Sequence, residues 1–346
     1  MKKVLVIGAF GYDNNQLDGQ TIKTRNVYNL LIKKCDAKLV YIDTLSLRKK
    51  PWLAFKMLYN LLVCKTLIIL PCLNNLTILF PIFYYLSKVF CFDIISICIG
   101  GWQVEYFLGN EKFGYHPRQM KMSKAIKAFL PEMQKVNDDL INLCGFKNSE
   151  VFPNFRLFNR TEQKITMASG LRLVFMARIN KMKGYDVIFE SLNFIREHCP
   201  NSKVDFYGGI NSEDKNDFLK KIDANKDIVS YGGLLPSDKI HETLQNYDAM
   251  LLPTKYYTEG FPGSILDAYI SGIPVIVTEW KHSHEFVFHG LTGIIVPFEN
   301  NQEAFNKAIF NLYKDRNKLN RMKQAAFGEA NKYSEEAAWD VLKKYL

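Results

Sequence analysis

The residues best suited to chemistry lie in the stretch 248–278, DAMLLPTKYYTEGFPGSILDAYISGIPVIV. An apolar run ends at Pro253 and a loop presents Glu259. Gly260, Phe261, Pro262, Gly263 and Ser264 then open a helix, with Asp267 one turn inside it. A helix start offers free backbone N–H groups and the positive end of a dipole, which suits an anion. Gly260 and Gly263 let the main chain come close to a ligand, and Pro262, with no N–H to donate, suits the first turn. A diphosphate fits such a place, with the two carboxylates accepting hydrogen bonds from sugar hydroxyls. The dipole alone also favours acids at a helix start, so by themselves Glu259 and Asp267 leave both readings open.

A second stretch, LRLVFMARINKMKGYDVIFESL at 171–192, pairs an apolar run ending at Arg178 with Lys183-Gly184 at the start of a helix. An Arg and a Lys at a strand end can both reach a diphosphate. Three glycines, Gly8, Gly11 and Gly19, flank the first apolar run and a polar loop. Their spacing is not Gly-x-Gly-x-x-Gly, which argues against a dinucleotide site, and turn glycines alone would also account for them.

These loops need strands and helices to hold them. In the first half, short runs rich in Val and Ile predict strands at 3–8, 38–43, 66–70 and 93–99, with helices near 20–34, 52–64, 75–90 and 117–130. The second half predicts strands at 171–178, 203–208, 228–232, 249–253, 274–278 and 293–297, with helices near 184–198, 212–223, 238–247, 263–271 and 301–315 and a helical tail over 317–346. Between the halves, 150–170 breaks the alternation and is polar from Asn159 to Lys164, as a linker would be. Strand–helix alternation repeated twice predicts an α/β protein of two Rossmann-like doubly wound domains facing across a cleft. We expect an N-terminal domain at 1–155, a C-terminal domain at 165–330, and a terminal helix at 331–346 that packs back on the first domain.

The segment 248–278 resembles the Glu-x7-Glu motif of the group 1 glycosyltransferases (family 4, GT-B fold), with Glu259 as the first acid and Asp267 where a second Glu is expected. The run through Ala268, Gly272, Pro274 and Val275 is similar to that family as well. So are Tyr231-Gly232-Gly233 with Leu235-Pro236, the stretch Gly290 to Val296, and the Pro153-Asn154 turn. The resemblance covers about 170–315 well and 1–150 weakly. It implies retaining transfer of a sugar from a nucleotide-sugar donor, with no metal and no cofactor. Glu259, Arg178 and Lys183 would be catalytic: Glu259 on the donor sugar's hydroxyls, Arg178 and Lys183 on the leaving diphosphate. Asp267 would hold the ribose, with Phe261, Pro262, Gly263, Ser264, Gly19 and Gly233 also lining the donor. One departure is plain: Gly100-Gly101 stand where many members carry a His. His282, His284 and His289 take no assigned role.

Charge and composition bear on partners. Residues 1–160 carry 22 Lys and Arg against 11 Asp and Glu, whereas 161–346 carry 23 against 24. The basic half suits an anionic partner, or a solubilising surface. It has no element that would read nucleic acid. Basic Arg48, Lys49, Lys50, Lys56 and Lys65 surround Trp52, Phe55 and Leu58, and 76–86 is apolar all round but far short of the roughly 20 residues that span a bilayer. A packed helix with a basic edge explains these residues equally well. Seven scattered cysteines read as core residues in a reducing compartment. Together these features predict a cytoplasmic enzyme, peripheral at the inner membrane face, whose acceptor is a glycan or lipid-diphosphate-linked glycan of surface polysaccharide or glycoconjugate synthesis. A sugar-nucleotide epimerase or a non-catalytic nucleotide-binding scaffold is the competing reading.

Overall fold

The computed structural model describes residues 2–14, 16, 18–47, 49–157 and 169–346. Arg48 and residues 158–168 of the expected linker lie outside the described residues. The chain divides into two compact units, Met1–Leu157 with Tyr333–Leu346, and Phe158–Lys332.

The first unit is built on β1 (Lys3–Gly8), β2 (Lys38–Asp43), β3 (Thr66–Leu70), β4 (Asp93–Ile97) and β5 (Ala128–Leu130). Its helices are α1 (Gly19–Lys34), α2 (Trp52–Val63), α3 (Leu73–Phe90), α4 (Gln103–Leu108), α5 (Pro117–Lys124) and α6 (Gln134–Asn142). All five strands pair in parallel in the order β2-β1-β3-β4-β5. Parallel strands need helical crossovers, and the strand interiors are apolar because helices cover both faces. Asp18 starts α1 with a capping box: its carboxylate accepts the Thr21 N–H while the Thr21 hydroxyl accepts the Asp18 N–H.

The second unit holds β6 (Arg172–Met176), β7 (Lys203–Tyr207), β8 (Val229–Tyr231), β9 (Ala249–Leu252), β10 (Val275–Thr278) and β11 (Gly293–Val296). Its helices are α7 (Tyr185–Glu190), α8 (Leu192–His198), α9 (Lys215–Ala224), α10 (Ile240–Leu244), α11 (Gly263–Ile270), α12 (Ser283–Phe286), α13 (Gln302–Lys314) and α14 (Arg316–Glu329). The six parallel strands run β11-β10-β9-β6-β7-β8, so the first strand of the unit lies beside the fourth and the winding reverses between β6 and β9. The last helix, α15 (Glu335–Leu342), belongs to the first unit: Ala338 and Leu342 share a core with Val27, Leu30, Leu31, Ile68 and Ile95.

Two expectations are corrected. The helix expected over 117–130 ends at Lys124, and residues 128–130 form the edge strand β5 against Ile95–Ile97. All three of its side chains are buried, so sheet pairing and burial outweigh the helical pattern before it. The helix expected over 184–198 breaks at Ser191 into α7 and α8; the Ser191 hydroxyl is buried, donates to the Val187 carbonyl and accepts from Gln302 Nε2.

Candidate functional site

In an open α/β sheet, ligands bind beyond the carboxyl ends of strands where the winding reverses. In the second unit that point lies between β6 and β9. The loops leaving these two strands carry Arg178, Lys183 and Glu259.

The β6 loop is built to present Lys183. Asn180 caps a short turn by accepting the Lys183 N–H at 2.9 Å, and Gly184 follows with φ +79°. A Cβ on Gly184 would stand 1.8 Å from the Pro253 carbonyl oxygen, so only glycine lets the β6 loop lie against the end of β9. The loops are then stitched together. The Lys255 N–H donates to the Met182 carbonyl at 2.9 Å, and Lys255 Nζ pairs with Asp186 at 2.6 Å. Lys183 Nζ meets both oxygens of Glu259, at 2.6 and 2.5 Å, and the buried Thr254 hydroxyl donates to Glu259 Oε2 at 3.1 Å. The Lys183 and Glu259 side chains keep 18% and 17% of their exposure, so both remain reachable. Arg178 is exposed and pairs with no acid among the described residues.

Helix α11 starts at Gly263, and no side chain caps it. The Ile265 N–H donates to the Pro262 carbonyl at 3.0 Å, which leaves the N–H groups of Gly263 and Ser264 to meet solvent or an anion. Pro262 stands at the cap position rather than in the first turn. Ser264 is half-buried beside it. Phe261 turns inward and stacks on Phe286, with ring centres 4.1 Å apart and planes 8° apart, so its ring supports the loop from the core. Asp267 is buried and bonded by His241 Nε2 of α10 at 3.1 Å. Gly233 has φ +76° and open space where a side chain would stand.

In the first unit, Gly19 begins α1, and nothing lies within 4 Å of where its Cβ would be. Beyond β4, the Gly100 N–H donates to Glu132 Oε1 at 3.0 Å, and Glu132 Oε2 pairs with Lys23 Nζ at 2.9 Å. Both side chains are almost fully buried. A carboxylate on a buried lysine thus holds the Gly100-Gly101 turn that stands where a histidine was expected.

Three residues escaped the sequence reading. Asn180, three before Lys183, was legible as a cap. Thr254 carried no signal, because a threonine five residues before Glu259 on the same loop does not by its type announce the bond, and His241 carried none because its partner Asp267 comes from another helix. Of the remaining histidines, His284 bonds Glu279, His289 accepts the Ile295 N–H, and His116 stacks on Tyr106. All seven cysteines are free; burial pushes the Cys64 and Cys199 thiols up to about 11 and Cys98 higher still, so none of these three is a ready nucleophile. Among the described residues no three His, Cys, Asp or Glu side chains group as metal ligands, and no helix is long and apolar enough to cross a membrane.

Two Rossmann-like doubly wound units in tandem are the GT-B fold. The chain matches HepE of Anabaena, solved with UDP-glucose, at a TM-score of 0.72 with 13% identity, over 99% of both chains. It matches sucrose-phosphate synthase of Thermosynechococcus elongatus at 0.71 with 14% identity, over 99% of this chain and 98% of that one. Residues 162–328 match the family described as glycosyl transferases group 1. Among curated relatives, the amylovoran biosynthesis glycosyltransferase AmsK of Erwinia amylovora is 26% identical over 37% of this chain and 32% of its own length. The N,N'-diacetylbacillosaminyl-diphospho-undecaprenol alpha-1,3-N-acetylgalactosaminyltransferase of Campylobacter jejuni is 27% identical over 60% of this chain and 52% of its own. The chain thus spans a third to a half of the length of these relatives.

Proposed function

We propose that this protein is a retaining glycosyltransferase. It would move a sugar from a nucleotide-sugar donor to a glycan or lipid-diphosphate-linked glycan, in surface polysaccharide or glycoconjugate synthesis on the cytoplasmic side of a membrane. The observation that carries this is the Lys183–Glu259 pair at the strand reversal, with unpaired Arg178 on the same loop and the uncapped start of α11. The match to the group 1 family and the activities of the relatives support it.

The reaction breaks the bond between the anomeric carbon and the diphosphate oxygen, and the electron pair leaves with the diphosphate. The acceptor hydroxyl forms its bond on the face the diphosphate leaves, and its proton passes to a diphosphate oxygen. Negative charge grows on the leaving group, where Arg178, Lys183 and the α11 N–H groups stabilise it in place. Glu259 accepts hydrogen bonds from the donor sugar's hydroxyls, and Asp267 takes the ribose. No side chain serves as a nucleophile and no metal is required in this scheme.

The test is nucleotide release from UDP-, GDP- and ADP-sugars, with and without glycan and lipid-linked acceptors, followed by assignment of the product anomer by NMR. Acceptor-dependent release with the anomer retained, unaffected by EDTA, is expected. Conversion of the sugar without acceptor would mean an epimerase, nucleotide binding without turnover would mean a scaffold, and an inverted anomer would overturn retention.

A further inference from the structure

Helices α2 and α3 turn apolar faces outward. On α2, Trp52, Phe55, Tyr59 and Leu62 follow one another at helical spacing, and Phe55 is 78% exposed. On α3, Ile78, Ile82, Tyr85 and Val89 form a second stripe, with Val89 70% exposed. Neither stripe is needed by the core. The opposite sides, Leu53 and Leu61 on α2 and Leu76, Phe80 and Phe83 on α3, are the buried ones. The helices pack against each other, α2 on β1 and β2 and α3 on β4, so both stripes face away from the same side of the sheet. So many large apolar side chains rarely stay bare on a folded surface.

Charge indicates what covers them. From Thr44 to Phe92 the chain has no Asp or Glu, but it has Arg48, Lys49, Lys50, Lys56, Lys65 and Lys88. Two tyrosines of these stripes carry cations over their rings, Lys3 on Tyr59 at 5.3 Å and Arg118 on Tyr85 at 5.7 Å, and on the flank of α3 Lys88 lies 5.2 Å from the ring of half-buried Tyr84. Apolar stripes bordered by tyrosine, tryptophan and basic side chains match the profile of an anionic bilayer: hydrocarbon, then headgroup boundary, then negative surface. A second copy of this chain would bring the same basic border against this one, and like charges repel. Within the basic cluster at 48–50, Lys50 is paired with Asp13 at 2.7 Å, which takes up part of its charge.

We propose that the outer face of α2 and α3 docks this protein on an anionic lipid bilayer, with Trp52, Phe55, Ile78, Ile82 and Val89 entering the headgroup–acyl boundary. The proposal rests on the glycosyltransferase reading only for why a bilayer is useful, since a lipid-linked acceptor lies in one. Docking itself needs neither donor nor acceptor, so a failed donor screen and a failed docking test are separate results.

The test is co-sedimentation with phosphatidylglycerol and phosphatidylcholine vesicles, read together with tryptophan emission and quenching by brominated lipid. Wild type is expected to sediment with phosphatidylglycerol, less at high salt but not to zero, because the apolar contribution is not screened. The emission shifts to the blue and is quenched by brominated lipid, and Trp52→Phe removes that signal. Phe55→Ser with Ile82→Ser is expected to cut sedimentation at least tenfold while keeping the wild-type thermal unfolding curve. The proposal is overturned if wild type stays in the supernatant with both vesicle types at low salt. It is overturned equally if light scattering finds a dimer that the double variant splits, since a second copy would then cover the face.

Discussion

Lys183 Nζ sits 2.6 Å from Glu259 Oε1 and 2.5 Å from Oε2, joining the loops that leave β6 and β9 across the reversal of the sheet. The cation and the carboxylate satisfy each other. A donor would divide them, taking Lys183 to the diphosphate and Glu259 to the sugar. Glu259→Gln is therefore expected to lower turnover by about 2–4 kcal/mol, the scale for losing a polar contact to a transition state. Steady-state rates on the true donor check this, and wild-type turnover in the variant would remove Glu259 from the site. The double change with Lys183→Ala should cost less than the two single losses together, because the residues share one contact.

Arg178 is exposed and pairs with no acid among the described residues, so removing it should leave folding alone. Arg178→Ala is expected to weaken nucleoside diphosphate binding by about 1.5–3 kcal/mol, the range for charged hydrogen bonds, and to leave nucleoside binding nearly unchanged. Calorimetric titration with both ligands decides the matter. Equal loss for both would place Arg178 at the base instead of the phosphates.

Asp267 should show the opposite pattern. If its carboxylate holds the ribose, wild type binds a 2',3'-dideoxynucleoside diphosphate at least about tenfold more weakly than the parent compound, and Asp267→Asn shrinks that difference. His241 bonds the same carboxylate at 3.1 Å, so His241→Ala should also shrink that difference, by loosening Asp267. A difference between ligands that survives unchanged in Asp267→Asn would exclude the ribose contact.

Gly184 combines φ +79° with a Cβ position 1.8 Å from the Pro253 carbonyl oxygen. Gly184→Ala pays about 1–2 kcal/mol for the left-handed backbone and must also push the β6 loop off β9. A lower unfolding temperature and a loss of turnover larger than that of Lys183→Ala are expected. Thermal unfolding and rates measured on the same preparation test this; a wild-type unfolding curve would mean that the loops can part at little cost.

Lys23→Met leaves the buried Glu132 carboxylate without its cation, a change that typically costs about 3–5 kcal/mol. The Gly100 N–H, which donates to the other oxygen of Glu132, should lose protection from hydrogen exchange. Adding Glu132→Gln should recover part of the stability, because no charge is then stranded. Denaturant unfolding of the single and double variants measures it, and no recovery would show that packing around Lys23, not its charge, is what matters.

The strands of both sheets except β5 were legible in the sequence, because parallel strands covered on two faces must be apolar and short, and turn residues delimit them. The loops bearing Arg178, Lys183 and Glu259, and the start of the helix that carries Asp267, were legible for a related reason: glycine and proline mark places where the backbone must turn tightly or approach a ligand. What the chain's local pattern could not carry is pairing across distance. Residues 128–130 look like the end of a helix until β4 offers them an edge. His241 is an ordinary helical residue until α11 brings Asp267 to it. The α3 segment reads as equally apolar all round, and only packing on the sheet decides that Phe80 is core while Ile78 and Ile82 face outward. Local propensity and periodicity are properties of neighbours in the chain. Which oppositely charged or apolar side chains meet is decided by the winding order of the sheet, and that exists only once the chain has folded.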